Sequence, residues 1–544
     1  MGQMMHQPML ISSIIQHADR HFGGKEIVSR RVEGDIHRYT YRDCHKRARQ
    51  MANALEKLGV RMGDRVATLA WNGYRHLELY YAISGSGAVL HTINPRLHPE
   101  QIAYIADHAE DSYVFFDLTF LDLVKSLAAH SKTVKGYIAM TDRHRMPAAS
   151  GIPNLMCYED LIENSSDRYA WPVFDENSAS TLCYTSGTTG NPKGVLYSHR
   201  STILHAYASS LPDALNVSGR EVLMPVVPMF HVNAWGFPYS AALAGAKLVL
   251  PGPMLDGQSL HELIEQEGVT ASAGVPTVWH GLLHYVERKS LGFKSFRRII
   301  IGGSACPPAM MKSFREKHNV ELLHTWGMTE MSPLGTVCTL QNHHMHLPQT
   351  EQEAILQKQG HVIYGVDMKI VDDAGNELPW DGRTCGNLLV RGPWVLESYF
   401  KNGDSEPAQL LQDGWLPTGD VATIDADGYM QITDRSKDVI KSGGEWIGSI
   451  ELENVAMAHP AVQQAACIGV FHPKWDERPL LVVVKKADAE VTRDELIDSF
   501  AGKVAKWWTP DDVVFVDALP VGATGKILKN EIRNRLRHHR LPTI

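Results

Sequence analysis

Paired cysteines are missing from this 544-residue chain. It has seven cysteines, an odd number, and none of them forms a Cys-x-x-Cys pair. This pattern argues against a structural zinc site and a disulfide framework, and it favours a reducing compartment. Residues 1–24 also lack the basic and long apolar segments of a secretory signal. We therefore expect a cytoplasmic protein.

An excess of positive charge and a long apolar run are missing too. The 61 Asp and Glu residues outnumber the 53 Lys and Arg residues, and the net charge is −8. This balance gives no bulk electrostatic support for a nucleic-acid partner. The most apolar run, residues 230–250, contains His231, Asn233, Pro238 and Lys247. It is a better buried helix than a membrane span, so we expect no integral membrane association.

Short apolar strands alternate with amphipathic helices through most of the chain. Apolar residues recur at helical spacing over residues 41–58, a turn at Gly63-Asp64 leads into a strand, and another helix is predicted near residues 74–87. Repeated alternation of this kind predicts parallel α/β layers.

The pattern changes to strand, turn, strand from about Val362, and a smaller unit begins after residue 434. The sequence therefore predicts an α/β protein with two domains. The large N-terminal domain, residues 1–434, has two parallel-type α/β layers plus a β-rich subdomain. The small C-terminal domain, residues 435–544, is α+β.

A stretch rich in glycine and threonine, YTSGTTGNPKG, follows the strand-like segment ASTLCYT. Glycines let backbone N–H groups converge on an anion, hydroxyls add donors, and a lysine adds a charge suited to phosphate. The spacing does not match the Walker pattern G-x-x-x-x-G-K-[ST]. We predict a different phosphate cradle here, with a flexible surface turn as the alternative. Its candidate residues are Thr185, Ser186, Gly187, Thr188, Thr189, Gly190 and Lys193.

This stretch and four later segments resemble, in order, the motifs of the adenylate-forming acyl- and aryl-CoA synthetase superfamily. The later segments are WGMTE (326–330), LPTGD (416–420), DRSKDVIKSGGEWIG (434–448) and PVGATGKI (520–527). Five ordered motifs across nearly the whole chain are more specific than any one alone. The resemblance implies an enzyme that uses ATP, Mg²⁺ and CoA to convert a carboxylic acid to an acyl-CoA through an acyl-adenylate. It also implies a homodimer.

The carboxylate of Glu330 suits Mg²⁺, which prefers hard oxygen ligands and often takes one carboxylate plus substrate phosphates. The resemblance adds the hydroxyl of Thr185 as a second metal ligand. Trp326 offers a flat face for adenine, and the resemblance places Asp420 and Arg435 at the ribose. The other nucleotide-binding positions that it implies are Gly303, Ser304, His324, Thr325, Gly327, Met328, Thr329, Ile432 and Trp446.

Lys526 is the central catalytic candidate, and Thr185, Glu330 and His231 complete the predicted catalytic set. A lysine between the carboxylate and the α-phosphate would orient both anions and offset the charge that grows during transfer. Because Lys526 lies on a late loop, it must travel to the site, so we expect the C-terminal domain to be mobile. The resemblance places the hinge at Lys437 and brings Lys441, Gly443 and Gly444 to the thioester-forming site after rotation.

The acid pocket is predicted at PMFHVNAW, residues 228–235. An amino-acid-activating domain is expected to hold an Asp after the Phe, to pair with the substrate ammonium group. This chain has His231 there, which favours a plain carboxylic acid. Trp235 matches a gate tryptophan of long-chain fatty acyl-CoA synthetases, and Gly302 allows close approach of an acyl chain. His231 and Trp235 could instead be core residues.

A medium-chain fatty acid is the favoured substrate. A short or thioether-containing acid, such as a methylthio-propionate, stays open. The more remote alternatives are a luciferase-type oxygenase and a nucleotide-binding regulator without activity. The cluster of His343, His344 and His346 suggests a transition metal, but no acidic or cysteine residue has convincing spacing, so we expect a solvated polar loop.

Overall fold

The structure is a computed structural model that describes residues 2–148, 150–185, 191–401, 410–442, 445–487, 489–522 and 526–544. Within these residues the strands form four sheets. Two large, mainly parallel sheets come first in the chain. An antiparallel sheet and a smaller mixed sheet follow.

The first large sheet is parallel except at one edge, where its last two strands form an antiparallel pair. Every residue of the strand Asp111–Phe116 is buried, as expected for a parallel sheet covered on both faces. The strands in spatial order are Leu155–Cys157, Gly136–Ala139, Asp111–Phe116, Arg65–Leu69, Val89–Thr92, Ala179–Thr185 and Lys193–Ser198.

The second large sheet has a parallel centre and an antiparallel pairing toward each edge. Its strands in spatial order are His361–Val362, Leu334–Val337, Glu321–Gly327, Arg298–Ile301, Ala271–Gly274, Val222–Pro225, Lys247–Leu250, Glu26–Arg30 and Ile36–Thr40.

The predicted β-rich subdomain is an antiparallel sheet of the strands Asp367–Val371, Gly386–Arg391, Leu416–Ile424 and Met430–Arg435. The C-terminal sheet contains Glu445–Ile447, Ile440–Ser442, Asp476–Lys485, Val462–His472 and Asp512–Phe515. The domain boundary between residues 434 and 435 stays a prediction.

The predicted helices at 41–58 and 74–87 are present as Tyr41–Lys57 and Tyr74–Gly85. Thr40 begins the first of them with a reciprocal capping box. The other α-helices are Ile11–Phe22, Pro99–Ala109, Leu121–His130, Tyr158–Glu163, His199–Ser209, Phe237–Ala244, Gly257–Glu267, Pro276–Arg288, Pro308–His318, Gln349–Leu356, Ser449–Met457, Arg493–Asp498 and Lys529–Arg535. The short segment Val232–Trp235 is a left-handed turn. The 3₁₀ turns are Leu118–Phe120, Arg143–Arg145, Thr329–Met331, Asn342–His346 and Lys506–Trp508.

The prediction of one buried helix over residues 230–250 is wrong. Gly236 and Gly245 have φ of 82° and 70°, and these left-handed positions divide the run into a short turn, the helix Phe237–Ala244 and the strand Lys247–Leu250. None of the described helices is long and apolar enough to cross a membrane.

Gly274, Ile301 and His324 lie side by side near the carboxyl ends of three neighbouring parallel strands in the second large sheet. Ligands of open α/β sheets bind at such carboxyl ends. Among the predicted nucleotide residues, Gly303, His324 and Trp326 lie on or just after these strands, and Asp420 of the β-rich sheet contacts Trp326.

Candidate active site

Trp326 and Asp420 meet between two sheets, although 94 positions separate them in the sequence. The indole N–H of Trp326 donates to Asp420 Oδ2 over 2.8 Å. Arg435 lies opposite Asp420 on the neighbouring strand, and its Nε is 2.7 Å from Oδ1, an ion pair without the alignment of a hydrogen bond. Asp420 is buried, and loss of solvent raises the pKa of its carboxyl group, an effect that Arg435 opposes.

Trp326 itself is buried, with its ring against Gly335 and Met331, as a Cβ on Gly335 would lie 2.7 Å from the ring. The structure therefore gives Trp326 a role in holding Asp420. Stacking of adenine on this ring stays a prediction.

Glu330 lies in the 3₁₀ turn Thr329–Met331 and is 8% exposed. Its Oε1 accepts a hydrogen bond of 2.8 Å from the hydroxyl of Tyr399. Among the described residues, its Oε2 has no hydrogen-bond partner. A buried carboxylate with one oxygen held and the other available has the hard-oxygen chemistry that Mg²⁺ prefers.

Gly302 and Thr325 lie on adjacent chain segments at the strand ends. A Cβ on Gly302 would be 2.6 Å from Thr325 Oγ1 and 3.5 Å from the ring of Trp235. Gly303 has a φ of 83°, and its Cβ would contact Val275. Two of the predicted acid-pocket residues, Trp235 and Gly302, are thus neighbours beside the predicted nucleotide residues.

The acid-pocket motif contains a turn that the sequence analysis missed. The turn is left-handed, since φ lies between 46° and 55° at all four of its residues, Val232, Asn233, Ala234 and Trp235. Each such residue costs about 1–2 kcal/mol relative to the right-handed conformation. The surrounding structure must therefore hold the turn in place.

Asn233 supplies that support. Its amide nitrogen donates to Thr181 Oγ1 over 3.0 Å, and its amide oxygen accepts from the hydroxyl of Tyr80 at 3.4 Å. The turn connects His231 to Trp235. Loss of solvent lowers the pKa of His231 to about 4, and the charges of Lys526 and Arg96 add to this shift.

Lys526 lies in the C-terminal domain, beside an antiparallel bridge. Its carbonyl accepts a hydrogen bond of 2.7 Å from Gly522 N–H, and Val521 and Ile527 form an antiparallel bridge. Both contacts tie the backbone at Lys526 to residues 521 and 522.

Charged residues of the site act on the pKa of the Lys526 ammonium group. Loss of solvent lowers its pKa to about 8, Arg435 adds to the shift, and Asp420 and Glu330 oppose it. The residue nevertheless remains exposed, so water screens part of these interactions. The structure thus brings Lys526 into electrostatic reach of Asp420, Arg435, Glu330 and His231.

The remaining predicted residues lie on several elements. His324 is buried, its Nδ1 is 3.0 Å from Gln357 O, and loss of solvent lowers its pKa to about 4. The backbone N–H of Ile432 donates to Gln359 Oε1. Lys441 lies on the C-terminal sheet, where its N–H donates to Glu477. Thr185 pairs with Lys193 across two antiparallel strands, and the carbonyl of Thr329 accepts a hydrogen bond from the hydroxyl of Tyr197. Ser304 and Lys437 are exposed. Gly327 and Met328 connect the strand Glu321–Gly327 to the 3₁₀ turn Thr329–Met331.

Several predicted residues lie outside the described part of the chain. They are Ser186, Gly187, Thr188, Thr189, Gly190, Gly443 and Gly444. Trp446 is on the strand Glu445–Ile447, but its side chain is outside the description.

Sequence spacing did not reveal an acidic partner for the histidine cluster, and the fold supplies one from a distant position. Asp427 Oδ2 lies 3.4 Å from His343 Nε2 and 3.3 Å from His344 Nε2, and these three could hold a metal ion. However, His344 Nδ1 accepts from Gln341 N–H. The ring proton of neutral His344 is then on Nε2, the atom a metal would need, so the observed contacts are those of a hydrogen-bonded cap.

The chain matches known protein families over most of its length. Residues 15–400 match the AMP-binding enzyme family, and residues 451–526 match the AMP-binding enzyme C-terminal domain. The chain is 56% identical to a 3-methylmercaptopropionyl-CoA ligase of Ruegeria lacuscaerulensis, over 99% of both chains. It is 52% identical to a medium-chain-fatty-acid–CoA ligase of Ectopseudomonas oleovorans, over 98% of this chain and 97% of that one.

Solved structures share the fold. The anthranilate CoA ligase AuaEII in complex with anthranoyl-AMP superposes with a TM-score of 0.87 over 98% of both chains, at 24% identity. ATP-bound MatB from Rhodopseudomonas palustris gives a TM-score of 0.80 over 97% of this chain and 99% of that one, also at 24% identity. The predicted α/β architecture, a large N-terminal part with several sheets and a smaller C-terminal part, is confirmed.

Proposed function

The chain belongs to the AMP-binding enzyme family, and from this membership we propose that it is an AMP-forming acyl-CoA ligase. The carboxylate of an acid attacks the α-phosphorus of ATP, which gives an acyl-adenylate and releases pyrophosphate. The thiol of CoA then attacks the acyl carbon, which gives the acyl-CoA, and AMP leaves with the electron pair of the broken C–O bond. The thiol proton passes to the phosphate or to solvent.

One observation carries this proposal: Lys526 of the C-terminal domain is in electrostatic reach of Asp420, Glu330 and His231 in the N-terminal domain. A cation held there would orient the acid carboxylate against the α-phosphate and stabilise the negative charge of the transition state. Neutral His231 would border the acid without adding a second fixed charge, because its pKa is low.

Glu330 and Thr185 would hold Mg²⁺. The fit rests on the buried carboxylate of Glu330, which keeps one oxygen available, and on the hydroxyl of Thr185 at the end of its strand. The ion would neutralise charge on the triphosphate. Asp420 and Arg435 would bind the ribose, and the predicted cradle that ends at Lys193 would hold the departing pyrophosphate.

The C-terminal domain would rotate between the two half-reactions. The observed arrangement suits adenylation, since Lys526 faces the site. The strand that carries Lys441 belongs to the C-terminal sheet, so a rotation near Lys437 would bring it forward and withdraw Lys526. Gly443 and Gly444 would then leave room for the narrow arm of CoA.

The acid is a medium-chain fatty acid or 3-methylmercaptopropionate. The two relatives named above support these candidates almost equally. Further proposals are a homodimer, which light scattering tests, and a cytoplasmic location, which the seven free cysteines support.

A pyrophosphate-release screen tests the activity and the substrate together. Straight-chain acids from acetate to palmitate, thioether acids, aryl acids and amino acids are supplied with ATP and Mg²⁺, with and without CoA. We expect acid-dependent pyrophosphate release, with acyl-CoA formed only when CoA is present. Turnover of an amino acid without CoA, or no release with any acid, would overturn the proposal.

A further inference from the structure

Tyr399 contacts two residues that the sequence analysis assigned to the phosphates and the metal. Its hydroxyl donates to Glu330 Oε1 over 2.8 Å. The ammonium group of Lys193 lies 4.9 Å from the centre of its ring, a cation–π distance. One side chain therefore touches an anionic and a cationic residue at the same time.

The backbone around Tyr399 is attached to both neighbours. Phe400 N–H donates to Gly194 O over 2.8 Å, directly after Lys193, and Leu396 N–H donates to Glu330 O over 2.7 Å. Residues 396–400 are thus fixed at both ends to the segments that carry Lys193 and Glu330. Tyr399 lies between these two attachments.

A Cβ on Gly194 would approach within 3.1 Å of Phe400 Cβ, so the two strands are as close as glycine allows. Lys401 continues the attachment on the other side by donating to His108 O over 3.0 Å. The position of the Tyr399 ring is therefore set by the backbone on which it stands rather than by a mobile loop.

We propose that Tyr399 is a positioning residue that sets the Glu330 carboxylate and the Lys193 ammonium group for metal-bound triphosphate. This inference rests on the proposed function. Hydrogen bonding by Tyr399 occupies Oε1 and leaves Oε2 for the ion, so it orients a carboxylate that could otherwise rotate. The ring face holds Lys193 without forming an ion pair with Glu330, so the lysine stays available for phosphate oxygens.

The alternative is that Tyr399 only packs against the core. A packing role predicts equal effects on all ligands, or none, when the hydroxyl is removed. A positioning role predicts an effect only on ligands that carry the metal and the β- and γ-phosphates. Tyr399→Phe separates these because it keeps the ring and removes only the hydrogen bond.

Calorimetric titration of Tyr399→Phe with MgATP and, separately, with AMP tests the inference. Since hydrogen bonds to charged groups are among the stronger ones, we expect MgATP to bind about tenfold more weakly. AMP, which lacks the outer phosphates, should bind as to the wild type. In the activity assay, half-maximal pyrophosphate release should need more Mg²⁺, with the KM for the acid unchanged.

Tyr169→Phe is the matched control, because Tyr169 also donates from its hydroxyl to a glutamate, Glu56, over 2.9 Å at an exposed site. It should change neither titration. In a Glu330→Gln background, Tyr399→Phe should weaken MgATP binding by less than half as much as in the wild type, because the two residues act through one contact.

Equal weakening of MgATP and AMP, or unchanged MgATP binding, would overturn the positioning role. A wild-type protein that binds MgATP but releases no pyrophosphate with any acid would instead overturn the proposed function. The titrations then still decide the role of Tyr399, since they do not depend on turnover.

Discussion

The Trp326 side of the site and the Lys526 side are held by different forces. Trp326 donates a well-aligned hydrogen bond to buried Asp420, and Tyr399 donates another to buried Glu330. In the described chain, the side chain of Lys526 makes no hydrogen bond or ion pair, and only longer-range charges act on it. We call the first group, Trp326, Asp420, Glu330 and Tyr399, the fixed half.

This difference fits a site in which one half stays and the other leaves. Breaking a buried hydrogen bond leaves an unpaired polar group at a cost of about 1–3 kcal/mol, so the fixed half resists rearrangement. Withdrawing an exposed lysine costs only screened electrostatic energy. These contacts would let the proposed rotation withdraw Lys526 without breaking the hydrogen bonds of the fixed half.

Replacing Lys526 should have the largest effect, because it should slow one half-reaction and leave the other unchanged. In Lys526→Ala, acyl-adenylate formation should fall by about 100- to 1000-fold, the range for losing one preorganised group that stabilises transition-state charge. Thioester formation from supplied acyl-adenylate should keep its rate, because the proposed rotation withdraws Lys526 in that step. Single-turnover assays of each half-reaction measure both rates.

Lys503→Ala is the control for this variant, since Lys503 is exposed on the same domain. It should leave both half-reactions unchanged. Equal loss of both half-reactions in Lys526→Ala would contradict a lysine that serves only the first one.

The fold was largely predictable because its strands are local patterns. Buried runs such as Asp111–Phe116 identify parallel strands from a few adjacent residues. The break at Gly236 and Gly245 was missed because an apolar run looks alike whether it folds as a helix or a strand.

Within the fixed half, sequence motifs predicted Trp326, Glu330 and Asp420 as site residues, but not the contacts among them. Trp326 and Asp420 each lie in a motif, yet nothing in their spacing predicts that one donates to the other. Tyr399 lies outside every motif and reaches Glu330 because the segment 396–400 contacts the 3₁₀ turn that carries Glu330, so no local signal identifies it. The left-handed turn at Asn233 contains no glycine, so the usual marker of positive φ was absent.

A substitution at Gly302 should disturb the fixed half by a smaller amount. In Gly302→Ala, the new Cβ would lie 2.6 Å from Thr325 Oγ1 and 2.9 Å from Thr325 O. Overpacking of this kind costs about 1–3 kcal/mol, so kcat/KM for the acid should fall by about fivefold or more. Steady-state kinetics with a saturating ATP concentration measures it.

Gly281→Ala is the matched control, because a Cβ there meets nothing within 4 Å and the residue lies in the helix Pro276–Arg288. It should keep full activity and gain slight stability, since alanine favours the helix. Wild-type kinetics for Gly302→Ala would mean that the strand ends shift freely, and the fixed half would then be less rigid than the hydrogen bonds indicate.

The pH dependence of adenylation should show the smallest effect, and it reports most directly on Lys526. In the proposed mechanism Lys526 acts as a cation, and the pKa of the free enzyme's lysine is lowered to about 8. Because the ammonium form is lost as pH rises through the pKa, kcat/KM for ATP should be flat near pH 7 and about half its maximum at pH 8. His231, with its pKa lowered to about 4, adds no step in this range.

Bound ATP brings negative charge to the ammonium group and so raises the pKa of Lys526. The decline in kcat should therefore begin at higher pH than the decline in kcat/KM. Lys526→Arg keeps its positive charge throughout this range, so its residual activity should show no such decline. If Lys526→Arg declines with the wild-type midpoint, another group controls the profile, and the charge of Lys526 does not limit adenylation.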